Sequence, residues 1–142
     1  ERAGGGPRGA LIKMCFSGEY TEKEVYKNIG GNGGFNAYLG TNDMREVNKM
    51  IAAGDKKAAA VREAFIYNIS KNVGAMATVL KGKVDQIIVT GGIAYNADVI
   101  NDLKERCEWI APFTVYPGED ELLALAQGAL RVMSGDEEAC VY

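Results

Sequence analysis

The chain has 142 residues, 47% of them hydrophobic and 25% charged, a balance that suits a folded domain and not a disordered segment. Its formal charge is -3, from 16 basic and 19 acidic side chains. It therefore lacks the positive surplus that a nucleic acid or an anionic membrane would demand. No apolar run approaches the roughly 20 residues of a membrane span.

Histidine is absent, which removes imidazole triads and histidine metal sites from this stretch. Cys15, Cys107 and Cys140 are odd in number and widely spaced, with no metal or disulfide pattern. Reduced thiols and a cytoplasmic location without a secretory leader are expected. The chain opens at Glu1-Arg2 and reads as a piece of a longer or processed polypeptide.

In chain order, residues 1–9 (ERAGGGPRG) predict a loop, with Pro7 suited to a helix entry. Ala10–Phe16 predicts a short helix stopped by Ser17-Gly18. Thr21 and Glu24 form a capping-box pair, so a helix is expected from there to about Ile29. Four glycines within residues 30–35 (GGNGGF) predict a loop capable of movement. Thr41, Asn42 and Asp43 are alternative caps for a helix ending near Gly54. From Lys56 to Leu80, Val61, Phe65, Ile69, Val73, Met76 and Leu80 recur at helical spacing and predict a buried stripe. Gly74 within it predicts close packing against a neighbour.

Asp85–Thr90 predicts a strand, and its continuous apolar centre Ile87–Val89 predicts cover on both faces. A helix is expected from Asn96 to Glu108, then a second strand over Phe113–Tyr116. The last helix starts at Glu119-Asp120-Glu121, with Leu122, Ala126, Ala129, Leu130 and Met133 facing inward. Tyr38, Tyr67 and Trp109 read as packing residues, and Lys13, Lys81 and Lys83 as solvated. The alternation of helix and strand predicts an α/β layer with parallel strands, its sheet completed by an upstream segment. Residues 1–142 are taken as one nucleotide-binding domain with a loose acidic tail over 135–142.

Four places have the residue types for chemistry. Gly91-Gly92-Ile93-Ala94-Tyr95-Asn96 follows a strand and precedes a helix, where glycines admit a ligand close to backbone amides. Local sequence alone favours a simple packing turn there. Asp43-Met44-Arg45 offers a carboxylate and a guanidinium to a nucleoside, though local sequence alone favours a helix cap with a surface ion pair. One of Glu119, Asp120 and Glu121 could hold magnesium, directly or through water, or simply favour the helix start. Arg2 has a guanidinium suited to a carboxylate or a moving phosphoryl group.

These segments resemble the butyrate kinases in order along the chain. The matching stretches are Glu1–Gly5, Leu11–Gly18, Tyr38–Val47, Gly74–Asp85, Thr90–Tyr95 and Ala111–Glu121. The resemblance implies the C-terminal part of an acetate-kinase-like enzyme of the actin-like ATPase superfamily. It implies transfer between ATP and butanoate, giving butanoyl phosphate and ADP, with Mg2+ required. It implies that Arg2 is the active-site arginine and that Asp43, Met44 and Arg45 contact adenosine. It implies that Gly91, Gly92, Ile93, Ala94 and Asn96 form the nucleotide loop, and that the metal-linked acid lies within Glu119–Glu121. In the wider family the loop reads Gly-Ile-Gly-Glu-Asn, so Ala94 and Tyr95 depart from it.

The expected partners are a small carboxylate and a nucleotide, without nucleic acid or membrane, in a homo-oligomer of the full-length enzyme. The two phosphate loops, including a His-x-Gly-Gly-like stretch, and most of the acyl site are expected upstream, so this segment alone should be inactive. The alternatives are a kinase for acetate, propionate or a branched acid, and a non-catalytic actin-like nucleotide-binding domain. A dinucleotide-binding module fits poorly, because the full Gly-x-Gly-x-x-Gly fingerprint is missing.

Overall fold

A computed structural model describes residues 2–140. The chain forms two compact units, one ending at Val73 and one beginning at Gly74.

The first unit is helical. It holds α1 (Arg8–Cys15), α2 (Glu22–Ile29), α3 (Phe35–Leu39), α4 (Met44–Ala52) and most of α5 (Lys56–Val79). The capping box forms as the sequence predicts: Glu24 N–H donates to Thr21 Oγ1 at 3.3 Å, and Thr21 N–H donates to Glu24 Oε2 at 2.7 Å. Its core gathers Val25, Phe35, Val47, Ala58 and Ile66. The Phe35 and Phe65 rings meet at 5.0 Å with a tilt of 51°.

The glycine-rich segment is tied down rather than loose. Asn32 N–H donates to the Lys27 carbonyl at 2.8 Å, and Asn36 Nδ2 donates to the Gly31 carbonyl at 2.8 Å. A Cβ on Gly33 would stand 2.5 Å from the Ala3 nitrogen, so only glycine permits that approach.

The second unit holds β1 (Ile87–Gly91), α6 (Ala97–Cys107), β2 (Phe113–Pro117) and α7 (Glu121–Ser134). The two strands are parallel, with Ile87 opposite Phe113 and Gly91 opposite Pro117. The intervening helix α6 makes this a strand–helix–strand crossover. Val99, Ile100, Leu103 and Cys107 of α6, with Ala94 and Ala111, make the core. A 3-10 turn over Gly92–Tyr95 separates β1 from α6.

Four expectations of burial fail. Ile88 is 60% exposed while Ile87 and Val89 are half-buried, so β1 is covered on one face only. In α5 the fully buried residues are Ala58 and Ile66, whereas Met76 and, just past the helix end, Leu80 are exposed, and a Cβ on Gly74 would meet nothing. Helix α7 buries no residue, and Leu122, Leu130 and Met133 are exposed. Tyr38, Tyr67 and Trp109 are exposed too, Trp109 donating from its indole to the Arg106 carbonyl at 2.9 Å. The first three share one cause: within its own unit, each apolar face lacks a layer to cover it.

Local bonds hold the start of the tail. Gly135 takes φ +83, Asp136 N–H returns to the Arg131 carbonyl at 2.9 Å, and Arg131 pairs with Glu137 at 2.7 Å. Val141 and Tyr142 lie outside the described residues.

Candidate functional site

In the second unit the parallel pairing of β1 and β2 brings two loops side by side. Gly91 and Gly118 exchange backbone hydrogen bonds, N–H to O=C at 3.1 and 3.2 Å, as an antiparallel bridge just beyond the strands. Both need glycine-like backbone, with φ +81 at Gly91 and +110 at Gly118. This bridge sets Glu119 beside the glycine turn: a Cβ on Gly91 would lie 3.6 Å from Glu119 Oε1. The sequence-predicted loop and the acidic segment are thus neighbours at the carboxyl ends of the strands, where α/β sheets bind ligands.

Beyond the bridge, Gly92 is exposed and Ala94 buried. A Cβ on Gly92 would meet no protein atom, so its missing side chain leaves open space above the turn. Asn96 caps α6, its Oδ1 accepting from Val99 N–H at 3.2 Å. Glu119, Asp120 and Glu121 are all exposed. Asp120 stands at the N-cap of α7 without a side-chain cap bond. Among the described residues no group of three or more His, Cys, Asp or Glu side chains is placed to hold a metal. The acidic segment offers single exposed carboxylates among the described residues and no closed set of metal ligands.

In the first unit Asp43 is the N-cap of α4, accepting from Arg45 N–H at 2.9 Å. The Arg45 side chain folds back onto the same carboxylate, with Nη2 to Oδ2 at 2.6 Å and Nε to Oδ1 at 3.0 Å. The side-chain bond from Arg45, then its backbone amide, hold the Asp43 carboxyl down at about 2. The Arg45 guanidinium is shifted upward by the same side-chain bond. Arg45 is 85% exposed and Met44 half-buried, so the guanidinium is both paired and open to solvent. Arg2 is exposed, its backbone forming an antiparallel bridge to Gly30, and next to it Ala3 N–H donates to the Ile29 carbonyl at 2.9 Å.

The acetokinase family's sequence pattern matches residues 9–138, nearly the whole chain. The chain belongs to the acetokinase family. Over 142 residues it is 61% identical to a probable butyrate kinase of Clostridium botulinum (strain Alaska E43 / Type E3) and 52% identical to butyrate kinase 1 of Clostridium acetobutylicum. Each match covers 100% of this chain and 40% of the relative.

Two solved structures share the α/β fold. Porphyromonas gingivalis acetate kinase matches with a TM-score of 0.77 at 20% identity, over 89% of this chain and 38% of that one. A propionate kinase from Francisella tularensis subsp. tularensis SCHU S4 matches with 0.73 at 22% identity, over 85% and 37%. No helix is long and apolar enough to cross a membrane among the described residues.

Sequence reasoning missed the partnership of Gly118 with Gly91 and with Tyr95. Pro117-Gly118 signals only a turn; what it turns against depends on the strand register, which local sequence does not encode.

Proposed function

We propose that this acetokinase-family chain is the nucleotide-binding portion of a butyrate kinase. The full-length enzyme would transfer the γ-phosphoryl group of ATP to butanoate. A carboxylate oxygen attacks phosphorus as the bond to ADP breaks, yielding butanoyl phosphate, and the reaction runs in both directions. The observation that carries this reading is the identity with butyrate kinases along the entire chain, at 61% and 52%.

The local geometry supports roles for particular residues. The open turn at Gly91, Gly92, Ile93, Ala94 and Asn96 offers backbone approach to a nucleotide. Glu119, set beside that turn, is the member of the acidic segment best placed to hold Mg2+ on the phosphates. The ion would neutralise charge on the transferring group. Asp43, Met44 and Arg45 are proposed as adenosine contacts and Arg2 as the catalytic arginine on the resemblance, with Arg2 and Arg45 both exposed. A phosphoryl transfer needs positioning and positive charge and no covalent catalyst, so the lack of histidine in this chain is no obstacle.

Gly92→Val in the full-length enzyme is the direct test. The nucleotide KM should rise with the fold retained and the butanoate KM little changed; an unaltered nucleotide KM would remove the turn from the nucleotide site. A homo-oligomeric cytoplasmic enzyme is part of the proposal. Turnover across acetate, propionate, butanoate and branched acids separates this reading from other acyl kinases, and a strong preference for acetate would reject butanoate.

A further inference from the structure

Tyr95 reaches toward the turn at Gly118 with its side chain. It closes the 3-10 turn after β1 and is 72% exposed, so it contributes little to the core. The position that a Cβ would take on Gly118 lies 3.0 Å from the Tyr95 hydroxyl oxygen and 3.8 Å from Cζ. The phenol tip therefore stands where a side chain at residue 118 would be. Gly118 is also the residue whose backbone clasps Gly91, and the next residue is Glu119.

We propose that Tyr95 is a positioning residue: its phenol, seated over Gly118, holds the Pro117–Glu119 turn against the Gly91 edge and so sets the Glu119 carboxylate for the metal on the nucleotide phosphates. The glycine at 118 and the tyrosine at 95 form a matched pair, because a Cβ at 118 would stand 3.0 Å from the phenol oxygen, tighter than ordinary contact, and push the ring aside. The bridge to Gly91 fixes the backbone in one direction, and the phenol stops the turn from tilting away on its open side. This rests on the reading of Glu119 as the metal-linked carboxylate.

The test uses the full-length enzyme with Tyr95→Ala, Tyr95→Phe, Gly118→Ala, the double variant Tyr95→Phe/Gly118→Ala, and Glu119→Gln. The readouts are kcat, both KM values, the Mg2+ concentration for half-maximal rate and, without turnover, the Mg2+ dependence of ADP affinity measured by calorimetry. Tyr95→Ala should raise the Mg2+ requirement roughly tenfold, the scale of losing an outer support of a metal ligand, with the butanoate KM unchanged. Gly118→Ala should do at least as much. Removing the hydroxyl leaves Cζ at an ordinary contact distance of 3.8 Å, so the double variant should recover part of that loss. The rest persists, because φ +110 strains any alanine.

If Glu119→Gln raises the Mg2+ requirement while Tyr95→Ala does not, the role of Tyr95 is overturned and the metal reading stands. If the double variant is no better than Gly118→Ala, the matched pair is refuted. If Glu119→Gln leaves the Mg2+ requirement unchanged, the metal reading falls and this inference falls with it.

Discussion

Asp43 receives hydrogen bonds from both the backbone and the side chain of Arg45, and its carboxyl sits at about 2 in consequence. An unfolded aspartate titrates near about 3.9. Because the folded value is the lower one, the cap's contribution to α4 is complete above that pH and is lost as pH falls toward about 2. An NMR titration of the Asp43 carboxyl should find its midpoint near about 2, and a midpoint in the ordinary aspartate range would show the pair to be broken in solution. Gly33 makes the opposite point, that a residue can matter through what it leaves out. Gly33→Ala should lower the melting temperature and speed hydrogen exchange at the Ala3 amide, since the added methyl would meet backbone atoms at 2.5 and 2.8 Å. Unchanged exchange would mean that residues 2–3 are not held there. The capping role of Asp43 was readable in Thr41-Asn42-Asp43-Met44-Arg45. The need for glycine at 33 was not, because its neighbour Ala3 is 30 positions away.

The elements vary in how much of their form is local. Helix α2 follows from its capping box, and α6 from Asn96 and the apolar repeat Val99, Ile100, Leu103 and Cys107. Leu103 is 5% exposed, so Leu103→Ala should destabilise the second unit by about 2–5 kcal/mol, measured by denaturant unfolding. A loss well under 1 kcal/mol would mean that α6 does not make the core. Strand β1 is legible in Ile87–Val89, yet its cover is not: an apolar run announces burial without saying which layer supplies it. The short helix α3, Phe35–Leu39, spans little more than one turn, and its stability comes from the buried Phe35.

At the scale of the molecule, exposed apolar faces and partial length belong together. Ile88, Leu122, Leu125, Leu130 and Met133 are between 60% and 85% exposed, and the chain spans 40% of the length of the relatives it matches. The isolated chain should therefore bind a hydrophobic dye more strongly per mole than the full-length enzyme. Equal binding would show that these faces stay open in the parent. Fold class was visible from helix–strand alternation and the candidate loop from its position after a strand. The division into two units was not, because α5 continues through the boundary at Val73 with no break in its helical pattern. Acyl phosphate formation tests the account most directly: full-length enzyme, butanoate, ATP and Mg2+ are incubated with hydroxylamine, which traps the product as a hydroxamate. Hydroxamate should form with butanoate and require both ATP and Mg2+; its absence with every short-chain carboxylate would contradict the assignment.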